Sequence, residues 1–252
     1  MKDELAKLAL AIQFLTRLPL PAKIGYTPER LAATPAYYPL VGLMIGAICA
    51  GAYWLAALAL PQMVSVIVAL GTGLILTGAF HEDGLADTFD GIGGGLTREK
   101  TLAIMKDSRI GTYGTAALVV ILLLKATALS SMPVWLTFAA FIAAHGLSRL
   151  SAVMVIATSR YVRDEGTGKP VARGLSHAGL TMACLTGALV IVLWPLVQPF
   201  PAMLAGLGGL ALGHILMRLF FENKLGGYTG DTLGAVQQLS ETGFYLGLLI
   251  WL

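Results

Sequence analysis

Residues 112–132 read TYGTAALVVILLLKATALSSM, Pro133 follows, and residues 134–158 read VWLTFAAFIAAHGLSRLSAVMVIAT. Each run exceeds the roughly 20 mostly apolar residues a helix needs to cross a bilayer core of about 30 Å. Between them they carry two charges, Lys125 and Arg149. The proline ends one helix and opens the next. The pair reads as a helical hairpin through a membrane. Four more stretches satisfy the same rule, at about 38–60, 62–80, 180–198 and 202–221. A shorter apolar run at 243–252 reads as the inner part of a seventh span starting near Leu233, weakened by Gln237, Gln238 and Glu241. The fold class is all-α: a polytopic integral membrane protein of six to seven transmembrane helices, forming one domain over residues 1–252.

Composition agrees. Of 252 residues, 56% are hydrophobic and 12% charged, where a soluble domain carries about 25% charged residues. Mean hydropathy is +0.77. A soluble enzyme and a disordered segment are excluded, and a net charge of +3 without a long basic run leaves no nucleic-acid footprint. Cys49 and Cys184 sit in apolar stretches without metal-ligand spacing and read as small hydrophobes. Near the start, Leu5, Leu8, Ile12 and Leu15 share one helical face opposite Asp3, Lys7 and Arg17, with Phe14 as the exception. That predicts an amphipathic helix over about 3–18 lying on the membrane surface, rather than a signal peptide.

The connections alternate. Those at 61, 133 and 199–201 are tiny and contain proline; those at about 81–111, 159–179 and 222–240 are long and polar. Of the 17 Lys and Arg, only Lys125 and Arg149 fall well inside predicted spans, Arg218 lies at the edge of the sixth, and the tiny loops hold none. By the positive-inside rule the N-terminus and the long loops face the cytoplasm. Lys125 is expected to snorkel toward the outer leaflet. Arg149 lies about nine residues, or roughly 14 Å, inside the fourth span, so it is expected to face the protein interior, where it pairs with an acid or meets substrate phosphate. His145 and His214 are read as packing residues.

The chemistry concentrates in Phe80-His-Glu-Asp-Gly-Leu-Ala-Asp-Thr-Phe-Asp-Gly91. Glu82, Asp83, Asp87 and Asp90 place four carboxylates within nine residues. If the second span continues as helix, Asp83, Asp87 and Asp90 stand at i, i+4 and i+7 on one face. Carboxylates so close repel one another unless a cation compensates, and Mg²⁺ takes oxygen ligands shared between carboxylates and phosphates. Gly91, Gly93, Gly94 and Gly95 follow as a candidate phosphate-approaching loop. Thr97 then caps a short helix, leading to Lys106 and Arg109, which are suited to neutralising a phosphate. Acids, a divalent metal, glycines and basic groups together point to phosphoryl or nucleotidyl transfer.

The run His81-Glu-Asp-Gly-Leu-Ala-Asp-Thr-Phe-Asp-Gly-Ile-Gly-Gly-Gly95, followed by Met105-Lys-Asp-Ser-Arg-Ile-Gly-Thr-Tyr-Gly114, resembles the signature of the cobalamin synthase (adenosylcobinamide-GDP ribazoletransferase) family. Phe14-Leu-Thr-Arg-Leu-Pro19, Tyr38-Pro-Leu-Val-Gly42 and Gly226-Gly-Tyr-Thr-Gly-Asp-Thr-Leu-Gly-Ala235 resemble it in the same order, so the likeness covers essentially the whole chain. The resemblance implies a bacterial cytoplasmic-membrane enzyme with Mg²⁺ as cofactor. Its substrates would be adenosylcobinamide-GDP and α-ribazole or α-ribazole 5′-phosphate, and its products adenosylcobalamin or its 5′-phosphate plus GMP. On this basis Glu82, Asp83, Asp87 and Asp90 are expected as metal ligands. Asp231 is expected as a further ligand or as the base for the attacking hydroxyl, and His81 as the alternative base. Lys106, Arg109, Arg149, Asn223, Lys224 and Tyr228 are expected around the substrates, Tyr228 by stacking on a base. Residues 166–170 are read as a flap over the corrinoid, with Arg173 guiding phosphate. A homo-oligomer and association with other enzymes of the pathway are further expectations.

Two other functions share part of this pattern. Asp87-Thr-Phe-Asp-Gly91 matches the opening of the CDP-alcohol phosphotransferase motif, but Gly94-Gly95 replaces the Ala-Arg that follows it there, and the distal pair of aspartates is absent. A cation transporter would need intramembrane acids toward the far leaflet, and none is expected.

Overall fold

A computed structural model describes residues 2–20, 25–163, 171 and 175–252, and every regular element among them is a helix. In chain order these are α1 (Lys2–Leu15), α2 (Pro28–Ala32), α3 (Tyr38–Ala57, entered through a 3-10 turn at Thr34–Tyr37), α4 (Gln62–Thr77), α5 (Phe80–Gly94) and α6 (Arg98–Ile104). They continue with α7 (Thr112–Ser130), α8 (Val134–Thr158), α9 (His177–Leu193), α10 (Phe200–Leu225) and α11 (Gly230–Trp251). Five are long and apolar enough to cross a membrane: α3 with its 3-10 turn, α7, α8, α9 and α10. The sixth apolar stretch is α4, 16 residues or about 24 Å long. All six apolar stretches of the sequence are therefore helices, and the protein is an all-α polytopic membrane protein.

The predicted N-terminal helix ends at Leu15. Lys7 pairs with Asp3 and Glu4 on its polar face, at 2.8 Å each, and Arg30 reaches Asp3 at 2.8 Å. Phe14, the residue that broke the amphipathic pattern, is an anchor. Its ring stacks on Tyr38 (centroids 6.0 Å apart) and meets the edge of Phe80 at 5.5 Å.

Three expectations need correction. The second span does not run on into the acidic motif. Gly78 (φ 66°) and Ala79 (φ 56°) both adopt the left-handed conformation, which turns the chain by 87° between α4 and α5. Such a φ is costly for alanine, and it lays α5 across the end of the bundle instead of through it. The glycine run is not a loop: α5 stays helical to Gly94, held by Met105 and Tyr113 packing against Gly91 and Gly93. Finally, most of 222–240 is helix. The link between α10 and α11 is only residues 226–229, and α11, polar as it is, packs against α5, α7, α8 and α10.

Candidate functional site

The site begins at a backbone contact between α5 and α11. Gly84 leaves so little room that a Cβ there would lie 2.7 Å from the Asp231 carbonyl oxygen. Only glycine allows this approach, and it brings the acidic face of α5 alongside the first turn of α11. That turn is fixed by reciprocal capping. Thr229 accepts the Thr232 N–H at 3.3 Å, and Thr232 Oγ1 accepts the Thr229 N–H at 2.8 Å. Just upstream, Tyr228 donates its N–H to the Arg160 carbonyl (2.9 Å) and accepts that of Val162 (3.0 Å). This pairing delivers Arg163 to Asp231, Nη2 to Oδ2 at 2.6 Å. Arg163 Nη2 also donates to the Met105 carbonyl at 3.3 Å, which ties the segment after α6 to the same point.

The four acids of the motif are sorted onto different faces. Asp83 is exposed and Asp87 half-buried; together with Asp231 they form one crowded group facing a single described cation, Arg163. Asp87 lies on α5, which is not one of the five helices long and apolar enough to cross a membrane on its own. Burial, reinforced by Asp231 and then Asp83, pushes its carboxyl up to about 7. Asp90 is buried and turned to α7, where its two oxygens accept the Gly111 N–H (2.6 Å) and the Gly114 N–H (2.8 Å). It caps a helix that has no cap of its own. Glu82 points inward and accepts Gln238 Nε2 at 2.8 Å.

Behind Glu82 lies a buried polar network that the sequence did not reveal. Lys125 does not snorkel. It is 2% exposed and donates to Gln238 Oε1 (2.6 Å) and Glu241 Oε1 (2.7 Å). Glu241, 1% exposed in the middle of α11, also takes Gln237 Nε2 at 2.6 Å and stands 3.3 Å from His145 Nδ1. Arg149 is 4.0 Å from Glu241 Oε2 and donates Nη1 to the His145 carbonyl at 2.9 Å. Glu241 is thus a buried acid of α11, which Lys125, a charged partner from α7, makes tolerable. Lys125 and Arg149 balance Glu82 and Glu241. Nearby, His214 bonds Ser151 Oγ at 2.8 Å, as expected for a packing residue.

The remaining predicted site residues are dispersed. His81 is buried and shares a small cavity with Arg149 and Glu82, away from the Asp83–Asp87–Asp231 group. Lys106 is exposed beside Met105; Arg109 is exposed and paired with Asp107 at 2.6 Å. Lys224 donates to the Leu96 carbonyl at 3.0 Å, and Asn223 is exposed. Tyr228 is 1% exposed with its ring against Tyr161, so it offers no free face to a base here. Residues 166–170 and Arg173 lie outside the described residues. Arg163 was missed, because a loop arginine carries no signal until Tyr228 pairs with its strand-like neighbours.

As the side chains stand, no three His, Cys, Asp or Glu groups among the described residues converge at metal-binding distance. The donor set nevertheless fits a hard divalent ion. Asp83, Asp87 and Asp231 offer only carboxylate oxygens, and Asp231 Oδ2 is buried without a well-aligned hydrogen bond despite its contact with Arg163. A cation among these acids would offset the repulsion by Asp231 and Asp83 that adds to burial in raising Asp87.

Comparison with known proteins gives one family. The sequence model described as Cobalamin-5-phosphate synthase matches residues 7–249. The chain is 45% identical over 251 residues to the adenosylcobinamide-GDP ribazoletransferase of Leptothrix cholodnii, covering 96% of this chain and 95% of that one. It is 43% identical to the protein of the same name from Shewanella frigidimarina (95% and 92% covered) and 42% identical to that from Ralstonia pickettii (100% and 98% covered). No solved structure matches the chain.

Proposed function

The chain belongs to the Cobalamin-5-phosphate synthase family, and from that premise we propose that it joins adenosylcobinamide-GDP to α-ribazole or its 5′-phosphate, releasing GMP. This is the nucleotide-loop assembly step of cobalamin biosynthesis. The observation that carries the reading is the Gly84–Asp231 contact, which gathers Asp83, Asp87 and Asp231 from two helices at one edge of a membrane bundle. A diphosphate ester needs such a concentration of hard oxygen ligands.

In this proposal Asp83, Asp87 and Asp231 hold Mg²⁺. Bound there, the ion would neutralise the diphosphate of the donor and stabilise the departing GMP. Arg163 steadies Asp231 and keeps the acid group from carrying a net charge of minus three. A ribose hydroxyl attacks the phosphorus attached to the cobinamide side. The new O–P bond forms as the bond to GMP breaks, and the hydroxyl proton passes to the Asp231 carboxylate. Asp90 keeps α5 and α7 in register and Glu82 joins the acid edge to the interior network. The distribution of Lys and Arg supports placing α5 and the long connections on the cytoplasmic side, and membership of the family supports a bacterial cytoplasmic membrane.

The test uses purified protein in liposomes with adenosylcobinamide-GDP, each ribazole form in turn, and Mg²⁺ or EDTA. GMP and a new corrinoid appearing together, only with Mg²⁺, is the expected result. Equal turnover in EDTA would refute the metal role; turnover of CDP-alcohols instead would replace the reaction.

A further inference from the structure

Beside the acid group lies a polar cavity of about 430 Å³, walled by Arg17, Gln13 and Thr16 on one side and by Thr77, Gly78 and Asp83 on the other. It sits over the break between α4 and α5. Arg17 is the cation in its lining, and no carboxylate among the described residues pairs with it. The residue is exposed, yet its position is fixed. Its N–H donates to the Leu76 carbonyl at 2.7 Å, and the preceding Thr16 bonds the Ile12 carbonyl at 2.7 Å. Its side chain lies across Gly78 so closely that a Cβ there would stand 2.3 Å from Arg17 Nε. Gly78 thus serves twice: it adopts the left-handed turn, and it leaves the passage through which the guanidinium reaches the cavity.

One wall of the cavity is Asp83, a member of the proposed metal group. An anion entering alone would be repelled by that carboxylate. An anion sharing a divalent ion with Asp83 would not, and its far oxygens would meet a planar donor that suits phosphate bidentately. An exposed arginine at a membrane edge is otherwise a lipid anchor, but an anchor does not require a polar cavity that an acid of the reacting group also lines.

We propose that Arg17 and this cavity form a phosphate subsite for one of the two substrates, either the diphosphate of the GDP-bearing donor or the 5′-phosphate of the phosphorylated ribazole. Both are the same chemistry, phosphate oxygens at a metal edge. The inference rests on the proposed function, so its test has an arm independent of turnover.

In the kinetic arm, Arg17→Ala and Arg17→Lys are compared with the wild type, using α-ribazole and its 5′-phosphate separately. Loss of one charge-assisted phosphate contact corresponds to a KM rise of about tenfold to a hundredfold. A rise for ribazole phosphate alone assigns the subsite to the acceptor. A rise for adenosylcobinamide-GDP with either acceptor assigns it to the donor. Arg17→Lys should recover part of the loss. Unchanged KM values for every substrate, or a fall in kcat alone, overturn the proposal and return Arg17 to lipid anchoring or packing. In the binding arm, thermal unfolding is followed with Mg²⁺ and either GDP or ribazole phosphate. At least one should raise Tm in the wild type and fail to do so in Arg17→Ala. Equal shifts in both proteins overturn the subsite, even if the wild type proved to catalyse a different reaction.

Discussion

Lys125→Met asks whether the buried network is a balanced charge cluster or incidental. In the wild type, two cations (Lys125, Arg149) face two carboxylates (Glu82, Glu241), with Lys125 and Glu241 2.7 Å apart and each side chain 2% exposed. Removing the ammonium strands Glu241 Oε1 and Gln238 Oε1 without their donor and leaves the cluster one negative charge in excess. Breaking a buried pair from one side costs about 3–5 kcal/mol, or about two to three and a half powers of ten in the folding equilibrium. Glu241→Gln leaves the opposite excess and is expected to cost a similar amount. The double variant Lys125→Met/Glu241→Gln restores the balance as Arg149 against Glu82. Its loss should be about 1–3 kcal/mol smaller than the sum of the two single losses. The assay is SDS-induced unfolding in mixed micelles, followed by helical circular dichroism. Additive effects, or a Lys125→Met variant within about 0.5 kcal/mol of wild type, would refute the cluster and restore a snorkelling lysine.

Other outcomes follow from the same geometry. Asp83→Asn and Asp87→Asn should each lower turnover at least about a hundredfold while helical content is kept, because both would contribute hard ligands to the proposed metal; wild-type rates in either would remove it from the site. Asp90→Asn should act first on stability, by about 1.5–3 kcal/mol, since one of two charge-assisted bonds to α7 is lost; unfolding midpoints measure this. Mg²⁺ affinity should depend on pH in a defined direction. The Asp87 carboxyl is raised to about 7, so its proton competes with the metal below that value. Affinity measured by calorimetry should fall as pH drops from 8 to 6, with proton uptake by buffer on binding, and be flat above about 8. A flat profile across that range would mean that Asp87 is not a ligand.

What the sequence shows plainly is what composition controls. The apolar runs bounded by Pro61, Pro133 and Pro199 are helices because lipid offers the backbone no partner, and an unbroken apolar run of about 20 residues satisfies its own N–H and C=O groups as a helix. The segment at 222–240 misled for the converse reason. Asp231, Gln237, Gln238 and Glu241 resemble residues of a watery loop, and Lys125, the partner of Gln238 and Glu241, lies more than a hundred positions earlier. Polar side chains that satisfy one another across helices leave no local trace. The acidic motif was legible as a cluster and as a helix face, but not in how its members divide. Asp90 is drawn to α7 by two backbone N–H groups, and Glu82 to Gln238 by one amide. Asp83 and Asp87 remain with Asp231 because Gly84 lets two backbones touch. The left-handed Ala79 that turns α5 across the bundle has no signature in its residue type.

The most direct test of the account is Mg²⁺-dependent GMP release by Asp231→Asn beside the wild type, in liposomes, with both substrates saturating. If α5 and α11 form one reacting group, the variant keeps its helical content and its Lys125-centred stability but loses at least about a hundredfold in rate. If it releases GMP at the wild-type rate, Asp231 is neither ligand nor proton acceptor, and the site must be sought elsewhere on α5.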